Sequence, residues 1–489
     1  MPMIVHADIT TLLEALSASD EDGAIHATLR LLGPENAPPA KIAARVGIPA
    51  AWAGGDGHPL AVLSVSGRIA EWMRSIPIGP EPGAETRRQL APALPLIQSF
   101  RAVAAQVAKG LPEPHPTLPG GISPADLKHA EGAFGALRDA VAARDLDRVR
   151  AILMGFYMTG TDYRAMLTAI YGALALRYPE GGHPLYFAMA GSRVLEMADW
   201  GDRVPAYIYW VSSLIVDNTP DAPAAETAHA YASAAAHDLG WLRTRLAIPK
   251  NEAAGESFRH AVASGSATEA CDATLAALRG GATPMGLAAA LALTAAEQLN
   301  AVPRGDADGL PRAGHALLYA HAVHVATLQT QNKEIWPLLY TAACAVNAVR
   351  PAGGAGAVEA GGRAVPSSPI GGLIAASMLR TLEQQVAAGD SATALAIAHR
   401  YLQMGHEPRA LAGVIGSVAA TRDIDPSDVR SLHILPMVAA AAEEYLTLPP
   451  ALAAGGQNAL LTAAIRLASE LGGGHALADR VRAAINAEV

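Results

Sequence analysis

Four histidines occupy equivalent places in the sequence, each at or near the start of an apolar stretch with helical spacing. Consecutive members are about 120 to 130 residues apart, which is a period of an internal repeat. A neutral imidazole is a good ligand for iron, copper, zinc or nickel, and four of them on four helices can hold one ion with positions left open for substrate or oxygen. The four segments are Gly57-His58-Pro59-Leu60, Gly182-His183-Pro184-Leu185, Gly314-His315-Ala316-Leu317 and the weaker Leu432-His433-Ile434-Leu435.

A simpler interpretation exists for these histidines. Each one can start a helix, hydrogen-bond to a nearby carbonyl and persist only because an ancestral unit was duplicated. For a single histidine we favour that interpretation. For four in register, after the surrounding positions have diverged, we favour a shared metal site formed by His58, His183, His315 and His433.

Three other side chains are candidates for contact with a substrate. His324 follows His315 by nine residues, about two and a half turns along the same helix. It is a candidate to face the substrate or a ligand of the ion, although the pattern favours a core or surface position. Tyr186 and Tyr209 belong to aromatic runs near His183 that are able to line a flat pocket, although the pattern favours ordinary core packing.

Composition limits the class of protein and its partners. With 51% hydrophobic residues the chain is not generally disordered, and its net charge of −9 without any basic run argues against nucleic acid and anionic membranes. No run of about 18 apolar residues and no basic leader occurs, so we expect a cytoplasmic protein that does not enter a membrane. The two cysteines, Cys271 and Cys344, are far apart in sequence, and we predict buried free thiols. The sequence indicates no particular number of subunits.

The fold predicted from these patterns is all-α. Alanine is abundant, β-branched clusters are few, and turns with Gly, Asp and Pro separate apolar runs of helical period. We predict one all-α domain with a four-fold internal repeat of helical units of about 120 residues, at about 8–110, 123–250, 256–350 and 373–489. The units either stack as an open solenoid or curl around a central site, as a shared metal requires. A low-complexity stretch at 351–372 is predicted to be a loop or lid.

The GHPL helix, the following LEMADWGDRVPAYIYWVSSLI, the GHALLYAHAVHVATL helix and the late MGHEPRALAGVIGSVAATRD and SLHILPMVAAAAEEYL stretches resemble the questin-oxidase-like helical domains. These are similar in turn to helical domains fused to Rieske modules. The resemblance implies an oxygenase that opens or modifies quinone-like aromatic molecules with non-haem iron. It places the ligands at His58, His183, His315 and His433.

This chain departs from the family at two places. Some relatives use a modified lysine as a further ligand, whereas no lysine here lies in the fourth unit. The stretch Leu328–Asn332 has Gln329 where Rieske-fused relatives have a histidine. A fifth ligand is therefore unassigned, and water can take its place.

The function predicted is that of a non-haem Fe(II) oxygenase that uses O₂ for ring cleavage or hydroxylation of an aromatic small molecule. No GxSxG, HExxH, P-loop or dinucleotide motif points to other chemistry. Two alternatives stay open: a non-catalytic helical scaffold that binds a protein or a hydrophobic ligand, and a zinc-dependent hydrolase. Zinc and copper both accept imidazole ligands, so the pattern alone does not select iron.

Overall fold

The computed structural model describes residues 9–160, 163–235, 254–330, 332–349 and 371–489, and these residues contain α-helices, short 3₁₀ turns and no β-strand. The all-α prediction is therefore confirmed for this part of the chain. Residues 351–370 of the predicted loop or lid lie outside the described residues, and Gly371 begins a helix. None of the described helices is both long and apolar enough to cross a bilayer.

The first half of the chain forms helices whose starts follow local rules. Asp20 and Asp145 cap two of them by accepting a hydrogen bond from a backbone N–H in the first turn. Proline stands in the first turn of several others, where its missing N–H costs no hydrogen bond. The helices are α1 (Thr10–Ser17), α2 (Glu21–Leu32), α3 (Pro39–Ala53), α4 (His58–Met73), α5 (Ala84–Leu90), α6 (Ala93–Gly110), α7 (His129–Ala142), α8 (Leu146–Met158), α9 (Tyr163–Leu174), α10 (His183–Met197), α11 (Val204–Val216) and α12 (Ala224–Ala235).

The second half follows the same rules. Ser266 and Glu269 form a capping box, and the Thr283 hydroxyl accepts from Gly286 N. The helices are α13 (Glu256–Ser264), α14 (Ala267–Gly280), α15 (Pro284–Ala301), α16 (Gly309–Thr330), α17 (Pro337–Asn347), α18 (Gly371–Ala387), α19 (Ser391–Gln403), α20 (Pro408–Ala419), α21 (Val429–Thr447), α22 (Ala453–Glu470) and α23 (Ala476–Ala487).

Four of these helices carry the predicted ligands, and we call α4, α10, α16 and α21 the histidine helices. Both α4 and α16 pack against α10 and α21, so the four make a closed ring in chain order. His58 and His183 are the first residues of their helices, as predicted. The sequence predicts a polar loop from Pro303 to Pro311 before His315, but α16 already begins at Gly309 and tolerates Pro311 in its first turn. His315 and His433 therefore lie in the second turn.

The residue before each of the first three histidines is a glycine in close contact with the next histidine helix. A Cβ at any of these glycines would overlap a side chain four residues after the next histidine, so no larger residue fits. The absence of a side chain lets the starts of neighbouring histidine helices approach each other. The three pairs are Gly57 with Phe187, Gly182 with Tyr319, and Gly314 with Met437.

Replacing Gly182 by alanine tests this close approach. Gly182 has a φ of 85°, and a methyl group there would also overlap the Tyr319 ring. We expect Gly182→Ala to lower the free energy of unfolding by about 3 kcal/mol, from left-handed backbone strain and overpacking together. Urea denaturation followed by circular dichroism measures the change.

The matched control is Gly55→Ala. Gly55 has a φ of 84°, but no atom lies within 4 Å of a Cβ built there. Only the backbone strain applies, about 1 kcal/mol. Equal losses in the two variants would contradict the steric role of Gly182.

Candidate metal centre

The structure brings the four predicted histidines together where the histidine helices meet. The ligand atoms of His58, His183 and His433 lie within 4.8 Å of one another, and all three side chains are buried. His183 Nε2 is 3.1 Å from His433 Nε2. His315 is half-buried and outside that group of three, but its ring centroid is 4.3 Å from that of His433 and 5.5 Å from that of His183. Three histidines that could hold a metal, and an adjacent fourth, therefore lie together.

Oxygen atoms hold two of these imidazoles by Nδ1, and a third has a backbone partner. His58 Nδ1 lies 2.6 Å from Asp56 Oδ1, and His315 Nδ1 lies 2.8 Å from the Pro311 carbonyl oxygen. His433 hydrogen-bonds to a backbone group of the residue four positions earlier. In an uncharged ring that donates from Nδ1, the Nε2 atom keeps its lone pair. A ligand imidazole in a metalloprotein is held in this way.

Polar atoms of His58 and His183 are left without a partner inside the site. His58 Nε2 and His183 Nδ1 are buried and make no hydrogen bond. The Glu180 carboxylate is 3.6 Å from His183 Nδ1, beyond hydrogen-bond distance. Phe187 stacks on the His183 ring at 5.1 Å and meets the His58 ring edge-on at 4.7 Å. An ion on the lone pairs would satisfy a site that the protein itself leaves unsatisfied.

Burial keeps His183, His315 and His433 uncharged. Burial and the neighbouring histidines together lower the pKa of His183 to about 3 and that of His433 to about 2. Burial also lowers the pKa of His315. Burial alone would raise the pKa of Asp56, but hydrogen bonds from His58 outweigh it and hold that pKa below its usual value. The lone pairs of His183, His315 and His433 are thus available for a metal at neutral pH.

A second polar cluster lies deeper along the histidine helices. We call Arg68, Arg193, His321, His324, Glu443 and Glu444 the interior ion cluster. Arg193 donates to both carboxylate oxygens of Glu443 at 2.8 and 2.6 Å, and Arg68 donates to one of them at 2.6 Å. Burial opposes ionisation of Glu443, but the two guanidinium groups hold its pKa far below the usual range. A fully paired carboxylate in the core is the result.

Glu444 bridges the two remaining members of the cluster. Its carboxylate lies 2.7 Å from His321 Nδ1 and 2.9 Å from His324 Nδ1, with all three side chains buried. Burial lowers the pKa of His324, yet the Glu444 charge outweighs it and raises that pKa above its ordinary value. His324, predicted to face a substrate, is therefore committed to Glu444 by one ring nitrogen, and its Nε2 has no partner.

The two predicted aromatic candidates have different surroundings. Tyr186 is buried, its hydroxyl makes no hydrogen bond, and its ring centroid is 6.0 Å from that of Phe187, which touches His58 and His183. The Tyr209 ring instead packs beside Trp52 at 5.7 Å and under the Arg150 guanidinium at 4.4 Å. Of the two, Tyr186 is the one placed beside the histidine contacts.

Sequence reasoning did not find the interior ion cluster, although signals for it were present. Arg68, Arg193 and Glu443 each follow their histidine by ten residues, and Glu443-Glu444 interrupt a run of alanines. Charged residues in an otherwise apolar helical run are rarely buried without partners. The equal spacing of these charged residues from the histidines indicated that they lie at one level of the histidine helices.

A search of protein-family models, of curated proteins and of solved structures found no match to this chain. No family is therefore assigned, and the resemblance to the questin-oxidase-like domains stays a prediction.

Asp56→Asn tests how the metal site is held. The amide lacks the charge that fixes the His58 ring through Nδ1, so we expect the affinity for a divalent metal to fall about 10- to 100-fold. Isothermal titration calorimetry measures the affinity. Glu180→Gln is the matched control, because Glu180 sits beyond hydrogen-bond distance from His183 and its loss should change the affinity by less. An unchanged affinity in Asp56→Asn would contradict the assigned role.

Glu443→Gln tests the interior ion cluster. The variant leaves the buried Arg193 without its charged partner, and we expect a loss of about 3–5 kcal/mol in the free energy of unfolding at pH 7. Because the pKa of Glu443 in the folded state lies below the unfolded value of 4.5, this stabilisation is complete above that value. It is lost as the pH falls towards the folded pKa. Urea titrations at pH 7 and pH 3.5 should therefore show a smaller difference at pH 3.5, and a pH-independent difference would contradict the ionised state.

Proposed function

We propose that this protein is a metal-dependent oxygenase whose ion is bound by His58, His183 and His433, with His315 as the fourth ligand. The observation that carries the proposal is the meeting of four histidine side chains, three of them buried, with His58 and His315 held by Nδ1. His58 Nε2 and His183 Nδ1 make no hydrogen bond, and His183 Nε2 lies 3.1 Å from His433 Nε2. Histidine ligands of a metal have this environment.

The energetics favour a metal over a duplication relic or a scaffold. A buried polar atom without a partner costs about 1–3 kcal/mol, and His58 Nε2 and His183 Nδ1 are two such atoms on rings whose centroids are 4.8 Å apart. Apolar residues of similar size would remove that cost in a protein that needed only a packed core. Retention of the imidazoles at the centre of the ring is explained by a bound ion.

The choice of iron and oxygen rests on the resemblance to the questin-oxidase-like domains. The chemistry of the donor set fits it, since imidazole suits iron as well as zinc and copper. When bound, ferrous iron supplies a site for O₂ and an aromatic substrate together with the electrons that activate oxygen. The chain itself provides the imidazoles, the acceptors that orient them, and Phe187 against two of the rings.

The side of approach is indicated by two exposed carboxylates. Asp56 and Glu180 lie just before His58 and His183, and their side chains are 53% and 65% exposed. Solvent therefore reaches the N-terminal ends of α4 and α10, whereas the interior ion cluster lies further along the same helices. We infer that an aromatic substrate approaches from the exposed side.

We further propose that the four histidine helices descend from one repeated unit that closed into a ring. The contacts between the glycine before one histidine and the side chain four residues after the next support this proposal, because they recur three times in the same register. Leu432 takes the glycine position in the fourth copy, and Val62, a smaller residue than Phe187 or Tyr319, takes the facing position in the first. In this pair the larger residue stands before the histidine and the smaller one faces it, so the fourth copy can meet the first at a similar helix spacing.

The decisive experiment measures metal content and oxygen uptake together. Protein prepared without oxygen and loaded with ferrous iron should hold about one iron per chain by mass spectrometry of the element. We expect oxygen uptake with hydroxylated quinone-like aromatics. His58→Ala and His433→Ala should lose both iron and uptake, whereas His26→Ala, an exposed histidine outside the site, should keep both.

The alternatives have distinct outcomes in the same experiment. Zinc in place of iron, with hydrolysis that needs no oxygen, would support the hydrolase. No bound metal after loading, with all four histidines replaceable, would support the scaffold. Either result would overturn the proposed oxygenase.

A further inference from the structure

The two cysteines, distant in the sequence, meet in the folded chain. Cys271 lies on α14 and Cys344 on α17, and their Sγ atoms are 3.5 Å apart. Both side chains are buried, and they are free thiols. The sequence prediction of buried free thiols is thus confirmed, and their contact is new.

The residues around the two sulfur atoms are apolar, and those on one side are small. Ala228 and Ala232 of α12 pack against it, and Trp336 and Tyr340 complete the cluster. Alanine side chains are small, so they leave room for either sulfur atom to move a short distance. A disulfide has an S–S distance of about 2.05 Å, so the sulfur atoms have to approach by roughly 1.5 Å.

The two sulfur atoms are not equivalent. Cys271 is hydrogen-bonded to Cys344, and this contact together with burial raises the pKa of Cys271. The same hydrogen bond lowers the pKa of Cys344, and a backbone group of Ala228 lowers it further. Cys344 is therefore the sulfur with greater thiolate character, which is the nucleophilic form.

We propose that Cys271 and Cys344 are a peroxide-reactive pair that closes to an intramolecular disulfide between α14 and α17. The inference does not depend on the proposed oxygenase. It rests on the contact of the two sulfur atoms and on the small alanine side chains beside them, which leave room for the sulfur atoms to approach.

The chemistry uses one peroxide for each pair of thiols. The Cys344 sulfur attacks a peroxide oxygen, the O–O bond breaks, and a sulfenic acid forms with release of an alcohol, or of water from hydrogen peroxide. The Cys271 sulfur then attacks the Cys344 sulfur, the S–O bond breaks, and water leaves with the Cys271 proton. Two thiols are oxidised by two electrons in total, and the peroxide is reduced.

The test is oxidation of the folded full-length chain with excess hydrogen peroxide. We expect wild-type protein to lose both thiols, to remain monomeric on non-reducing gels, and to recover both thiols with dithiothreitol. A peptide that joins residues 271 and 344 should appear after non-reducing proteolysis. Two free thiols after this treatment, or disulfide-linked dimers alone, would overturn the proposal.

Single variants assign the two sulfur atoms. With Cys271→Ser, Cys344 should stop at a sulfenic acid that dimedone labels, because the second thiol is absent. With Cys344→Ser, Cys271 should stay unlabelled. Circular dichroism confirms that each variant folds, and the wild-type thiol count needs no variant. Equal dimedone labelling of both variants would contradict the assignment of Cys344 as the attacking sulfur.

Discussion

The structure depends on one unusual constraint, the burial of uncharged imidazoles against each other where four helices meet. Burial and the neighbouring imidazoles together lower the pKa of His183 and His433 well below the ordinary value. Buried nitrogen atoms without partners are costly in a core. A cation on their lone pairs would turn this cost into a bond, so the arrangement could hold a metal.

The constraint extends to the backbone that carries the imidazoles. Ring centroids about 5 Å apart, as for His58 with His183 and with His433, require the helix starts to approach closely. Glycine at the position before a histidine removes the side chain that would prevent this approach. Acceptors such as Asp56 and the Pro311 carbonyl then orient the rings. Small residues and hydrogen bonds thus define the site as much as the ligands do.

The interior ion cluster aligns the same four helices at a second level. Arg68 belongs to α4, Arg193 to α10, Glu443 and Glu444 to α21, and the two cluster histidines to α16. If one histidine helix shifted along its axis, a buried carboxylate would lose its charged partners, and an unpaired buried charge is strongly destabilising. The cluster therefore fixes the relative heights of the histidine helices, and with them the level at which the ligand imidazoles meet.

Sequence patterns predicted the helical class and the meeting of His58, His183, His315 and His433. Similar helices with a histidine at the equivalent position can be recognised from the sequence alone. They did not predict that α16 and α21 begin several residues before their histidines, since Pro311 reads as a loop residue but is tolerated in a first turn. Contacts such as Glu444 with His324 depend on which helices become neighbours. A single sequence does not contain that information.

Anomalous diffraction from crystals of the metal-loaded protein, collected on both sides of the metal absorption edge, would show whether these histidines bind a metal. We expect one strong peak at about 2.0–2.2 Å from imidazole nitrogens of His58, His183 and His433, with His315 turned towards it. A peak at another place, or ligation by fewer than three of these histidines, would contradict the proposed site.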